Sequence, residues 1–143
     1  MIGDSASAQL AALLTLDSHR DHVLGFIGLA GPYDFCPFTE KQHWDIVAPA
    51  SEYYKSQPVN YLNPSAPALF LLHGKNDLRV RSGHSKSLME KQRNVGGKAD
   101  REVYAGMGNK DIIMSPFRFH RHRRMVVSDI HKFIENETKE LQL

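Results

Sequence analysis

The chain has 143 residues, of which 41% are hydrophobic and 24% charged, as in an ordinary single globular domain. The formal net charge of +2 is too small to make nucleic acid an expected partner. One cysteine, Cys36, excludes an internal disulfide and fits a reducing compartment. No basic leader is present, and no apolar run reaches the ~18 residues of a membrane span. The sequence therefore predicts a cytoplasmic protein without stable membrane insertion.

The first predicted element is a sharp turn between a strand and a helix. Gly3-Asp4-Ser5-Ala6-Ser7 is followed at once by a small, helix-forming run that extends to Leu16. A serine on such a turn projects its hydroxyl outward, and the next backbone N–H can point at an oxyanion. The pattern predicts Ser5 as a nucleophile and Ala6 as an oxyanion donor.

Two buried strands are predicted next, because two apolar runs lack any polar alternation. One covers residues 23–29, and the other covers residues 68–72 and stops at His73-Gly74. Such runs are typical of strands covered on both faces, as in a parallel sheet. The aromatic, proline-punctuated stretch between them, residues 33–66, is predicted to form a short helix or two across one end of the sheet.

The last part of the chain continues the alternation of helix and strand. A helix is predicted from about Ser82 to Asn94, ended by Gly96-Gly97. A shorter strand at 102–104 then enters a glycine-rich loop at 106–109, and an amphipathic helix closes residues 115–137. The pattern predicts an α/β fold with about three parallel strands, flanking helices and right-handed crossovers.

Acyl transfer by serine requires a base, an acid that orients the base, and oxyanion donors. Asp77 lies just beyond the second buried strand, where open α/β sheets place their active sites. The loop that ends at Asn109 follows the next strand, where a base is expected. The order of nucleophile, acid and base along the chain is that of α/β hydrolases.

Several blocks resemble the C-terminal half of α/β-hydrolase esterases of the carboxylesterase and lipase type. The blocks are residues 3–14, 28–35, 71–77, 103–108 and 115–118. The resemblance implies one domain over residues 1–143, with Ser5 as nucleophile, Asp77 as triad acid and the Ala6 N–H as an oxyanion donor. It also implies a cap-like segment at 33–66, a small ester as substrate and no cofactor.

Three departures from the family pattern affect the functional prediction. Asn109 stands where these esterases carry histidine, and an amide cannot accept a proton near neutral pH. Loss of a triad member typically lowers kcat by roughly 10⁴–10⁶-fold. Ser7 replaces the last glycine of the turn motif, which leaves the packing of strand against helix open. The family's N-terminal half, with its His-Gly-Gly loop, is not among these residues.

The sequence therefore indicates two alternative functions. One is a serine esterase for short-chain esters, and the other is a catalytically impaired hydrolase-like module for binding or assembly. His73 is predicted to be structural, and His120 or His122 could replace the base only if their loop were rebuilt. The histidines are too sparse for zinc, so no metal is predicted. The basic run 118–124 is predicted to be a solvated loop, with an anion-binding surface as the alternative.

The short first strand also predicts self-association. In the family's sheet the strand at 23–29 has a neighbour on each side, whereas here residues 1–3 at most can form the nucleophile strand. A long apolar edge is an association hazard. We therefore expect a homodimer or larger assembly, formed through strand-edge pairing or exchanged segments.

Overall fold

The computed structural model describes residues 1–18, 20–36, 50–117 and 123–140. His120, His122, most of the basic run and the middle of the cap-like segment lie outside these ranges. The strands are β1 (Ile2–Asp4), β2 (Gly25–Leu29), β3 (Ala68–Gly74) and β4 (Ala99–Tyr104). The α-helices are α1 (Ser5–Leu13), α2 (Gly83–Asn94), α3 (Asn109–Met114) and α4 (Arg123–Glu140).

The strands form one parallel sheet in the order β1-β2-β3-β4. All seven residues of β3 are buried, because its uninterrupted apolar run can be covered on both faces. β2 pairs with it from Gly25 opposite Ala68 to Leu29 opposite Leu72. The predicted α/β fold with about three parallel strands is confirmed; the sheet has three longer strands and the short strand β1 as a fourth.

Helices cover both faces of the sheet. One face packs Phe26, Leu69 and Leu71 against α1 and α2 through Ala8, Ala12 and Leu88. The other face packs Ile27, Phe70 and Leu72 with Ile112 of α3 and Val126 of α4. Each fully buried leucine contributes about 1.5–3 kcal/mol relative to an exposed one. The result is a three-layer sandwich whose strand ends remain free to carry a site.

Three predicted element boundaries are wrong. The first α-helix stops at Leu13, and a π-helical turn continues to Ser18, where the Thr15 hydroxyl bonds the Ala11 carbonyl at 2.8 Å and competes with the regular ladder. The third predicted strand begins earlier, at Ala99. Asn109 starts helix α3 instead of ending a loop, since Asp111 accepts the Gly108 N–H at 3.0 Å and closes the first turn.

The described ends of the segment 33–66 are tied together and to α1. The Gln57 side-chain oxygen, which is buried, accepts the backbone N–H groups of Phe35 and Cys36 at 2.9 and 2.8 Å. Gln9 of α1 donates to the Ser56 carbonyl at 2.7 Å. Two short 3-10 helices, Ala50–Ser56 and Pro58–Asn60, match the helical turns predicted there. These bonds fix the base of the segment beside the helix that follows the serine turn.

Candidate active site

The serine turn joins β1 directly to α1. Ser5 has a φ of 45°, in the left-handed region that costs a residue with a side chain about 1–3 kcal/mol. A Cβ on Gly3 would lie 2.7 Å from the Ser7 carbonyl oxygen, so only glycine permits this close approach of strand and helix. Ser5 is partly exposed and Ala6 is exposed. Because Ala6 lies in the first turn of α1, its N–H has no partner within the helix.

Ser7 closes the turn instead of disturbing it. Its hydroxyl accepts the Asp4 N–H at 2.9 Å and lies 2.6 Å from both the backbone carbonyl and the carboxylate of Asp4. A serine at this position therefore caps the start of α1. The close packing depends on Gly3 and on fully buried Ala8. The departure from the glycine of the motif is thus compatible with the turn geometry.

Asp77 is a buried carboxylate at the carboxyl end of β3. Its side chain is fully shielded from solvent. One oxygen accepts the N–H groups of Arg79 and Val80 at 2.9 and 2.8 Å. The other accepts the side-chain amide of Asn109 at 2.8 Å. Three N–H donors thus hold this carboxylate in one orientation, which an exposed turn aspartate would not require.

Asn109 occupies the hydrogen-bonding position beside the acid. A carboxylate can only accept, so the amide nitrogen of Asn109 must face Asp77. This is the bond that a histidine ring N–H makes to the acid in a serine triad. Asn109 reproduces the link to the acid but brings no nitrogen lone pair that could accept the serine proton. The contact therefore pairs a fixed carboxylate with an amide that cannot act as its base.

Close contact between two loops brings Asp77 and Asn109 together. A Cβ on Gly74 would lie 2.3 Å from the Met107 carbonyl oxygen. That same oxygen accepts the Asn76 N–H at 2.9 Å. Lys75 donates its N–H to the Tyr104 carbonyl, also at 2.9 Å. The loop after β3 is thereby joined to the loop after β4.

His73 has the structural role predicted for it. Its Nε2 donates to the Val80 carbonyl at 2.7 Å and lies 3.6 Å from the nearer Asp77 oxygen. Burial lowers the pKa of His73, and the bond to Val80 and the charge of Asp77 only partly offset that effect. The ring is fully buried, and its lowered pKa favours the neutral form at pH 7. It therefore places no fixed positive charge beside Asp77.

Sequence reasoning missed one histidine, His84, in the first turn of α2. Its Nδ1 accepts the Asp34 backbone N–H at 3.3 Å, which leaves the proton on Nε2. Burial lowers the pKa of His84 against the opposing charges of Asp34 and Asp77. The sequence signal that could have identified His84 is its position in the first helical turn after the loop that carries Asp77. With Nδ1 accepting this bond and the proton on Nε2, a neutral His84 can donate from Nε2 but has no free nitrogen lone pair to act as a base.

Asp34 ties the chain after β2 to α2. Its carboxylate accepts the Ser87 hydroxyl and the Lys91 ammonium, the latter at 2.8 Å. Burial raises the pKa of Asp34, but these two bonds and the charge of Lys91 outweigh it and lower the pKa overall. A negatively charged Asp34 therefore fixes the start of the cap-like segment against the helix.

The strand order places the candidate residues at the carboxyl end of the sheet. Ser5, Asp77 and Asn109 follow β1, β3 and β4, whose carboxyl ends point the same way. Asp77 and Asn109 are in direct contact. Within the described residues, Ser5 has no hydrogen bond to either, since β2 lies between its strand and that of Asp77. Those residues also include no cluster of three potential metal ligands and no helix suited to cross a bilayer.

The sequence matches no protein-family model and no curated protein, but the fold matches solved structures. The match to a sugar hydrolase from Lactococcus lactis has 18% sequence identity and a TM-score of 0.79, and it covers 98% of this chain and 58% of the hydrolase chain. A truncated carbohydrate esterase from gut microbiota is 18% identical with a TM-score of 0.71, covering 96% and 59%. A propionate-bound esterase from Thermogutta terrifontis is 14% identical with a TM-score of 0.72, covering 94% and 54%.

These similarities define the class of fold. The chain has an α/β-hydrolase fold of the kind found in esterases and sugar hydrolases. It spans between 54% and 59% of the length of these three structures. That share is consistent with the C-terminal half that the sequence blocks resemble.

Proposed function

We propose that this chain carries the nucleophile and acid of a serine hydrolase acting on short-chain carboxylic esters, with its base position filled by Asn109. The observation that carries the proposal is the 2.8 Å bond from Asn109 to Asp77, at the same sheet edge as the strained Ser5 turn. Esterases among the similar structures support the reaction class. Propionate in one of them supports a short acyl chain.

In the proposed reaction, the Ser5 hydroxyl attacks the ester carbonyl and the Ala6 N–H donates to the oxyanion that forms. Asp77 is available to orient a base. Since Asn109 cannot accept a proton, the serine proton passes to water, and acylation is slow. The tetrahedral intermediate then collapses: the bond from the carbonyl carbon to the alkoxy oxygen breaks, the alcohol leaves with a proton returned by water, and the acyl group stays on Ser5. Water then attacks the acyl-enzyme, releasing the carboxylic acid and restoring the hydroxyl. The cap-like segment, anchored at Gln9 and Asp34, is proposed to cover the acyl group.

A second candidate is a catalytically impaired module that serves as a binding or assembly unit. Asn109 at the base position favours it, because the link to Asp77 persists without its catalytic partner. A cytoplasmic location remains part of both proposals and is based on the single cysteine.

The deciding experiment is Asn109→His, assayed with p-nitrophenyl butyrate. A histidine ring N–H can take over the bond to Asp77 and present its other nitrogen to the serine. We expect turnover to rise by roughly 10²–10⁴-fold, the usual contribution of a general base. Asn109→Gln is the matched control, because it changes the size of the side chain but keeps an amide and adds no base.

The gain must also depend on the serine. Adding Ser5→Ala to Asn109→His should return hydrolysis to the level of the Asn109→Gln control. Turnover that persists without Ser5 would refute the proposed nucleophile. No gain from Asn109→His, despite a folded protein, would favour the binding or assembly module instead.

A further inference from the structure

Two energetically costly features lie just after β2, beside the Ser5 turn. Ala30 has a φ of 52° although it carries a Cβ, and it is fully buried. Tyr33 is also fully buried, and its hydroxyl makes no hydrogen bond within the described residues. A left-handed φ strains a residue with a side chain, and a buried hydroxyl without a partner loses its bonds to water. Such costs persist where a structure must hold a particular geometry.

The register of the sheet places these features next to the serine. Asp4 of β1 pairs with Leu29 of β2, so Ser5 and Ala30 each follow one member of that pair. Ser5 has a φ of 45° and Ala30 a φ of 52°. Two neighbouring strands therefore end side by side on strained residues, one of which is the proposed nucleophile.

The tip of the Tyr33 ring fills a slot left by two glycines. A Cβ on Gly28 would lie 1.9 Å from the Tyr33 hydroxyl oxygen, and a Cβ on Gly31 would lie 2.5 Å from both that oxygen and Cζ. The Phe26 ring packs edge to face against the Tyr33 ring, with the centroids 6.3 Å apart. The slot thus confines the ring to one position, and its hydroxyl contributes volume there rather than a hydrogen bond.

The slot is linked to the serine turn through both the sheet and the helix. On the sheet side, Gly28 pairs with Gly3, the glycine whose close approach to α1 forms the turn. On the helix side, the Ala8 Cβ lies 2.7 Å from the position of a Cβ on Gly31, and Ala8 and Tyr33 belong to one buried cluster. Moving the Tyr33 ring would therefore displace the first turns of α1 relative to β1.

We propose that Tyr33 is a positioning residue for the Ser5 turn: its ring holds the start of α1 at the distance from the sheet that aims the Ser5 hydroxyl and the Ala6 N–H at the same substrate carbonyl. This inference rests on the proposed function, because Ser5 is the nucleophile that it positions. Tyr33 itself contacts no reacting atom in this role. It acts only through the backbone of the turn.

Two measurements on the full chain test the proposal: the rate of Ser5 labelling by a fluorophosphonate probe, and the backbone amide chemical shifts of Ser5 and Ala6. Tyr33→Leu removes the ring. We expect labelling per folded molecule to slow by roughly 10-fold or more, since a small displacement of a reacting group slows its reaction strongly, and both amide resonances to shift. Circular dichroism gives the folded fraction.

Leu88→Ala is the matched control. Leu88 is fully buried in the same cluster as Tyr33 but lies on α2. Its truncation should lower stability while leaving the labelling rate per folded molecule and the two amide shifts unchanged. A role of Tyr33 in general core packing alone would make the two variants behave alike.

A compensating pair of substitutions tests the slot even if Tyr33→Leu does not fold. Gly28→Ala places a methyl group against the Tyr33 hydroxyl and should slow labelling. Adding Tyr33→Phe removes that oxygen and should restore part of the rate, whereas Tyr33→Phe alone keeps the ring and should label nearly as fast as the unaltered chain.

Three results would overturn the proposal: unchanged labelling and amide shifts in Tyr33→Leu, equal losses in Tyr33→Leu and Leu88→Ala, or no restoration by Tyr33→Phe in the Gly28→Ala background. Failure of the proposed function is distinguishable from these. If the unaltered chain is not labelled at all, the proposed nucleophile is wrong, and the amide shifts alone then decide whether Tyr33 positions the turn.

Discussion

The acid side and the serine side of the candidate site are built in different ways. The acid side, comprising residues 73–80 and 104–109, is held by buried groups and by loop-to-loop hydrogen bonds. The serine side, residues 1–8, rests on the three-residue strand β1, which pairs with β2. The comparison teaches that Asp77 and Asn109 are held by hydrogen bonds between two loops, whereas the Ser5 turn depends on the close approach of Gly3 to the first turn of α1. Perturbing the acid side should therefore cost more.

The largest effect is expected at Gly74. Replacing it by alanine places a Cβ against the Met107 carbonyl, where the available distance is 2.3 Å. The two loops must separate, which should lower the free energy of unfolding by about 3 kcal/mol. Urea denaturation measures the loss. Gly83→Ala is the control, because no atom lies within 4 Å of its added methyl, and equal losses would contradict the loop-junction argument.

A smaller loss is expected from Asn109→Ala. The substitution removes the donor to one Asp77 oxygen and leaves that buried oxygen without its partner. An unsatisfied buried acceptor costs about 1–3 kcal/mol. Asn76→Ala, at an exposed position in the same acid side, should change stability much less. Similar values for the two variants in chemical denaturation would mean that the Asp77 bond contributes little.

The acid side should also make the protein sensitive to mild acid. Burial holds the pKa of folded His73 below its usual value of about 6.5, so below that pH the unfolded chain binds a proton that the folded chain excludes. Stability should fall as pH drops below about 6.5, by up to about 1.4 kcal/mol per pH unit, and should level off above it.

The variant His73→Gln isolates the contribution of His73 to the pH dependence of stability. Glutamine can still donate to the Val80 carbonyl but does not titrate, so the slope of stability against pH should become shallower. His22→Gln, at an exposed histidine, should leave the slope unchanged. Parallel slopes for His73→Gln and the unaltered chain would assign the acid sensitivity to other groups.

The serine side should show the smallest effect, with the opposite sign. Ser5→Gly removes the penalty of a left-handed φ and should stabilise the fold by about 1 kcal/mol. Ser5→Ala keeps the backbone strain and serves as control. Both variants should lose labelling by a fluorophosphonate probe, which reports on an assembled nucleophile. Destabilisation by Ser5→Gly would indicate that the hydroxyl supports the turn.

The sequence was sufficient for the fold class, because β2 and β3 are short apolar runs bounded by glycine and typical of strands covered on both faces of a parallel sheet. It was insufficient for β1, whose three residues include glycine and aspartate and become a strand only by pairing with β2. The sequence was also insufficient for α3, because the glycine-rich pattern at 106–109 predicted a loop at the residue where this helix begins. Chain order placed Asp77 and Asn109 at one edge of the sheet. Their direct contact depends on the close approach of the loop after β3 to the loop after β4 at Gly74. No local sequence pattern indicates that approach.

The buried amide of Gln57 has a consequence for how this chain can change. One oxygen binds the backbone at Phe35 and Cys36, so both ends of the intervening stretch are fixed at a single point. Gln57 also lies directly before the 3-10 helix Pro58–Asn60. A change at this one side chain would therefore act together on the start of the segment 33–66 and on its return toward the sheet.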